Sequence, residues 1–124
     1  MNQASHDKLK ECHPDLVRLM LRVDQIYPIH VICGFRGEKD QNHAFENKKS
    51  KLQYPNSKHN KRPSLAVDVV PDPDRNAKTI SWVDLMAFEI MCLAIESVAD
   101  DLKIKIRLGR DFSFKDWPHV ELVF

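Results

Sequence analysis

The chain has 124 residues, 43% of them apolar and 30% charged, with a formal net charge of +1. That length suits one ordinary domain, able to bury roughly two-thirds of its unfolded surface without disulfide staples. The balance excludes a disordered chain and gives no global charge signal for nucleic acid or a membrane surface.

Residues 7–26 read as helical, because Leu9, Leu16, Leu19, Met20, Val23 and Ile26 recur at helical spacing. Pro14 falls inside this span, so the regular helix is expected to start near it. Residues 28–35 (PIHVICGF) read as a strand rich in β-branched side chains. Residues 38–48 read as a short polar helix with Ala44 and Phe45 inward. Residues 49–64 are loop-like, broken by Pro55, Asn56, Asn60 and Pro63.

A second strand covers residues 65–70 (LAVDVV), and Pro71 and Pro73 end it. Ser81 is the expected N-cap of a long helix reaching about Ala99. Its apolar residues, Trp82, Leu85, Met86, Phe88, Ile90, Leu93 and Val98, span a wide arc that predicts a well-buried helix. In residues 103–108 (KIKIRL), Ile104, Ile106 and Leu108 alternate with Lys103, Lys105 and Arg107, the pattern of a half-exposed strand. Residues 119–124 (HVELVF) form the last strand, with His119, Glu121 and Val123 on one face and Val120, Leu122 and Phe124 on the other. The order predicts an α+β fold, a small mainly antiparallel sheet backed by two larger helices, in a single domain over residues 1–124.

The N-terminus has no apolar segment of a secretory signal, and no apolar run approaches the roughly 20 residues of a membrane span. Stable membrane insertion is therefore not expected. Cys12, Cys33 and Cys92 are odd in number and lack a CxxC spacing, which predicts folding in a reducing cytosol without a disulfide framework. Cys33 and Cys92 read as small core residues. Between residues 48 and 62 lie Lys48, Lys49, Lys51, Lys58, Lys61 and Arg62, with no acidic residue. This run is either a solvated basic loop or an anion-attracting rim beside a site.

Chemistry-bearing residues cluster in Ser57-Lys58-His59, in Ala66-Val67-Asp68 and in Asp116-Trp117-Pro118-His119. Asp68 stands in an apolar strand, where a carboxylate is expensive to bury unless it is paired or binds a metal. Taken singly, a salt bridge explains Asp68, and a structural role explains His119. Together, two imidazoles and a carboxylate suit zinc, which takes three protein ligands and leaves a fourth position for water. Asp116, three residues before His119, is placed to act as the general base toward such a water.

Four stretches carry a family likeness: CHPDLVRLM (12–20), CGFRGEKDQNHAF (33–45), KSKLQYPNSKHNKRPSLAVDVVP (49–71) and DWPHVEL (116–122). Over nearly its whole length the chain resembles the zinc peptidases that include phage endolysin-type L-alanyl-D-glutamate peptidases and bacterial D-Ala-D-Ala carboxypeptidases. The small phage-type members are the most similar. The resemblance implies a hedgehog/DD-peptidase-like fold and one zinc per chain, held by His59, Asp68 and His119, with Asp116 as the base. It implies that Arg36 stabilises the oxyanion or the substrate carbonyl, a role a fixed cation suits. It places Ser57 and Gln41 in substrate binding, with capping of the loop the other reading for Ser57. Support of Arg36, or a solvent-facing helix position, are the other readings for Gln41.

Some features differ from the wider family. The interval from His59 to Asp68 is longer than in many carboxypeptidase relatives, Ser64 replaces a glycine, and residues 109–115 form a shorter loop. The implied substrate is a peptidoglycan stem peptide, cut by a monomer. The phage-type likeness implies synthesis in the host cytoplasm and release to the wall by a separate factor. With no module after Phe124, targeting is expected to rest on the catalytic domain, helped by the basic rim. Two other activities stay open on the residues: D-Ala-D-Ala carboxypeptidase action, and a non-enzymatic wall-binding module with structural zinc. A nucleic-acid-binding protein is disfavoured, because Tyr54 is the one aromatic within the basic loop.

Overall fold

In the computed structural model, which describes residues 1–124, the N-terminal helical region is two helices, α1 (Gln3–Leu9) and α2 (Pro14–Ile26). The Asn2 side chain caps α1 by accepting from the Ser5 amide at 2.9 Å. His13 caps α2 by accepting from the Asp15 amide at 3.0 Å, and Pro14 takes the first-turn position where its missing N–H is harmless. Between the helices, Cys12 pairs with Ser64 in an isolated parallel bridge.

The strands are β1 (Ile29–Cys33), β2 (Ala66–Pro71), β3 (Ile106–Leu108) and β4 (His119–Leu122), in the sheet order β1-β2-β4-β3 with every pairing antiparallel. Helix α3 (Glu38–Glu46) follows β1, and a 3-10 turn (Lys58–Asn60) precedes β2. Helix α4 (Leu85–Leu102) starts three residues later than Ser81 predicts, because Asp84 caps it by accepting from the Ala87 amide at 3.1 Å. The predicted α+β architecture is present: α2 and α4 pack together behind the sheet, and α1 lies against β1. One continuous core of 21 buried residues joins these layers.

Three inward assignments are corrected. On α4 the buried side chains are Phe88, Met91, Cys92, Ile95, Val98 and Ala99, whereas Met86 is 74% exposed and Leu93 55%. Trp82, Leu85 and Ile90 are also exposed. The reason is geometric: the sheet and α2 cover one side of α4, and no layer covers the other. In α3 the buried residue is Gln41, while Ala44 and Phe45 are half-buried. Strand β4 stops at Leu122, and Phe124 is exposed.

Candidate active site

Three elements bring His59, Asp68 and His119 together. Asp68 on β2 lies directly across from His119 on β4, and His59 comes from the 3-10 turn. The Ser57 hydroxyl caps that turn by accepting from the His59 amide at 3.2 Å, and Asn60 completes the reciprocal cap through the Ser57 amide. Asp68 Oδ1 is 3.3 Å from His59 Nε2 and 3.3 Å from His119 Nδ1.

The far nitrogens of both rings are already engaged. His59 Nδ1 lies 2.8 Å from the Gly34 carbonyl, so it carries the proton donated there. His119 Nε2 lies 2.8 Å from Glu121 Oε1 and donates to it. Each bond directs the other ring nitrogen toward Asp68 with its lone pair available, the usual arrangement behind a metal-binding histidine. His59 Nε2 and Asp68 Oδ1 are buried with no hydrogen-bond partner. Leaving such atoms unsatisfied costs about 1–3 kcal/mol each, a deficit a cation removes. The donor set therefore fits zinc.

The same proximity shifts the titration of these groups. Burial disfavours the His59 imidazolium, but the Asp68 carboxylate 3.3 Å away outweighs it and pushes the group up to about 10. Burial raises Asp68, yet the two histidines outweigh it and hold the carboxyl well below its usual range. A metal held by these atoms would compete with protons for the same lone pairs, so its binding would be pH-dependent.

Cys33, His59 and Asp68 also form a group of metal-capable side chains, with ligand atoms within 4.8 Å of one another. Cys33 Sγ, however, is 3.9 Å from His59 Nδ1, the nitrogen bonded to Gly34. His119 occupies the other side, facing Asp68 Oδ1, and completes the set of three there. Gly34 is needed where it stands, because a β-carbon would sit 2.4 Å from the Lys8 carbonyl oxygen.

Arg36 Nη2 reaches Asp68 Oδ2 at 3.5 Å, and its Nη1 donates to Gln41 Oε1 at 3.1 Å. Gln41 is fully buried behind Arg36, with its amide nitrogen donating to Ser50 Oγ at 2.9 Å and to the Leu52 carbonyl at 2.6 Å. It positions the guanidinium and does not line the cavity, whereas Ser57 does.

Asp116 lies on the turn into β4. Its amide donates to the Gly109 carbonyl at 2.9 Å, and its carbonyl accepts from the His119 amide at 3.1 Å. A β-carbon on residue 109 would fall 2.0 Å from the Asp116 carbonyl oxygen, so glycine there lets the turn close onto β3. Burial raises the Asp116 carboxyl above its ordinary value, Asp68 adds to the rise, and His119, His59 and Arg36 oppose it. The carboxylate lines a cavity of about 550 Å³ together with His59, Asp68, His119 and Arg36. Its walls are the loop carrying Lys49 and Lys51 and the loop carrying Phe112 and Phe114.

Two imidazoles facing one carboxylate, with a second carboxylate and an arginine on the same cavity, are peptidase-like chemistry, and the family model for phage L-alanyl-D-glutamate peptidases matches residues 1–123. The chain belongs to the phage L-alanyl-D-glutamate peptidase family. A crystal structure of the Serratia marcescens L-Ala D-Glu endopeptidase ChiX has the same fold, with a TM-score of 0.84 and 28% identity. The match covers 100% of this chain and 90% of that one. No curated protein sequence matches it.

Three residues of the peptidase site lay outside the sequence reading. Glu121 holds His119 and is itself held by Lys58 at 3.1 Å. Its place on the His119 face of β4 was the available signal. Asn60 ties the 3-10 turn to Arg36 by donating to its carbonyl at 2.9 Å. Cys33, read as a core residue, is half-buried beside His59 and Arg36, and nothing local in the sequence marks it.

Proposed function

We propose that residues 1–124 are the catalytic domain of a zinc-dependent endopeptidase that hydrolyses the L-Ala–D-Glu bond of peptidoglycan stem peptides, in the manner of a phage-type endolysin. One observation carries this reading. Asp68 Oδ1 stands 3.3 Å from two imidazole nitrogens whose partner nitrogens are both bonded away, and the Asp116 carboxylate lines the same cavity.

Bound zinc supplies Lewis acidity that makes a water molecule nucleophilic near neutral pH. Asp116 takes the proton of the attacking water and delivers it to the departing amine. Its raised carboxyl suits both halves of that transfer. Arg36, fixed by Gln41, opposes the negative charge that develops on the scissile carbonyl oxygen. Ser57 stands at the cavity wall, where its hydroxyl both caps the turn and meets substrate.

No helix is long and apolar enough to cross a membrane. Family membership supports synthesis in the host cytoplasm and passage to the wall through a separate factor.

The decisive experiment is mass spectrometry of digested peptidoglycan, with and without chelator. New N-terminal D-Glu that chelation abolishes is the expected product. Released D-Ala would identify a carboxypeptidase instead, and no product at all would leave a wall-binding module. Asp116→Ala is expected to keep its zinc and lose about 100- to 10,000-fold in kcat. Full activity in that variant would refute the role of Asp116.

A further inference from the structure

The cations lining the cavity fall into two groups. Arg36 and Lys58 are engaged, at 3.5 Å with Asp68 and at 3.1 Å with Glu121. Lys49, Lys51 and Arg107 line the same cavity with no carboxylate partner. The two lysines sit on an irregular loop. Arg107 sits on a strand.

The register of the sheet fixes where Arg107 lies. Asp68 faces His119, and Glu121, two residues along β4, faces Arg107 on β3. A diagonal cross-strand neighbour is about 7–8 Å away, so the arginine starts within side-chain reach of the ligand cluster. Glu121 does not neutralise it, because that carboxylate is held by His119 and Lys58. The guanidinium carbon lies 4.6 Å from the centre of the Phe112 ring, and that ring is 5.4 Å from the His119 ring. The aromatic face orients the cation and leaves its charge available to a ligand.

The family's substrates contain a glutamate that contributes the amine of the cleaved bond. Glutamate has two carboxyl groups, and the peptide continues through at most one of them. A free carboxylate therefore remains on the leaving-group side, a few bonds from the scissile nitrogen. We propose that Arg107 receives this carboxylate and is a specificity-determining residue for an acidic leaving residue. The inference rests on the endopeptidase reading above. The planar guanidinium matches a carboxylate with two parallel hydrogen bonds, which neither lysine can offer.

The test uses two synthetic peptides identical through the L-Ala–D-Glu bond, one with the glutamate carboxylate free and one with it amidated. The wild-type enzyme is expected to favour the free acid in kcat/KM by about 10- to 100-fold, mainly through KM. Arg107→Gln should bring that ratio close to one by slowing the acid substrate alone, and Arg107→Lys should restore part of it. Zinc content and melting temperature, measured on each variant, should match the wild type. An unchanged ratio in Arg107→Gln, or equal slowing of both peptides, overturns the assignment. A wild-type enzyme inert on both peptides overturns the endopeptidase reading and this inference with it.

Discussion

Glu121 shows how much a single unassigned residue contributes to the site. Burial alone would raise its carboxyl, but the hydrogen bonds from His119 and Lys58 outweigh burial and hold it down at about 2. It is therefore ionised at neutral pH, and it fixes which nitrogen of His119 faces Asp68. Removing such a partner typically lowers metal affinity about 10- to 100-fold. Glu121→Ala should show a loss of that size in a competition titration against a zinc chelator. Glu121→Gln keeps an acceptor oxygen and should lose less. Equal affinities in all three proteins would mean that the imidazole is held by its backbone alone. His59, Asp68, Asp116 and His119, which the fold brings to one cavity, stand out in the sequence because they carry scarce chemistry in short, ordered motifs. Glu121 did not stand out, and Gln41 was marked by the family likeness alone, with its place beside Arg36 one of three readings, because both roles depend on what arrives from elsewhere. Gln41 becomes buried only because the irregular chain at Ser50 and Leu52 folds over it.

At the scale of elements, α2 ends on a charged knot that joins three parts of the chain. Asp24 accepts from the Met1 amine at 3.0 Å, from Arg75 Nη1 at 3.1 Å and from the Ile29 amide at 3.1 Å. Burial opposes ionisation here, but these partners prevail and hold the carboxyl below its ordinary value. A carboxyl depressed by folding stabilises the protein above its unfolded pKa. The contribution is lost as the pH falls through the folded value. Asp24→Asn should therefore cost about 2–3 kcal/mol at neutral pH, where it leaves the amine and guanidinium without their anion. Denaturant titrations should show the gap between variant and wild type narrowing as the pH falls below the ordinary aspartate range, where the wild-type carboxyl protonates. A gap independent of pH would assign the loss to packing. Helical periodicity located α2 and α4, since their apolar stripes are local. It did not show which arc of α4 would be covered, because Met86 and Leu93 are as apolar as Met91 and Ile95. Only the position of the sheet and α2 separates them.

Across the whole molecule, the strand order β1-β2-β4-β3 was the least legible feature, because nothing local in β4 states that it inserts between β2 and β3. That insertion places His119 opposite Asp68 and Arg107 opposite Glu121, so the topology assembles both the ligand set and the acidic-residue pocket. A metal held by His59, Asp68 and His119 would cross-link the 3-10 turn, β2 and β4. A ligand that binds the folded state alone stabilises it by about 2.7 kcal/mol at 100 times its dissociation constant. For a chain of this length, that corresponds to a rise in melting temperature on the order of 10 °C. Thermal unfolding with excess zinc and with chelator should differ by about that much. His119→Ala should remove most of the difference, because it deletes the ligand that β4 contributes. Arg107→Gln should keep it, because Arg107 touches the cavity and not the ligand set. Identical melting curves for the wild type with zinc and with chelator would show that the three ligands are not joined by a metal in the folded protein.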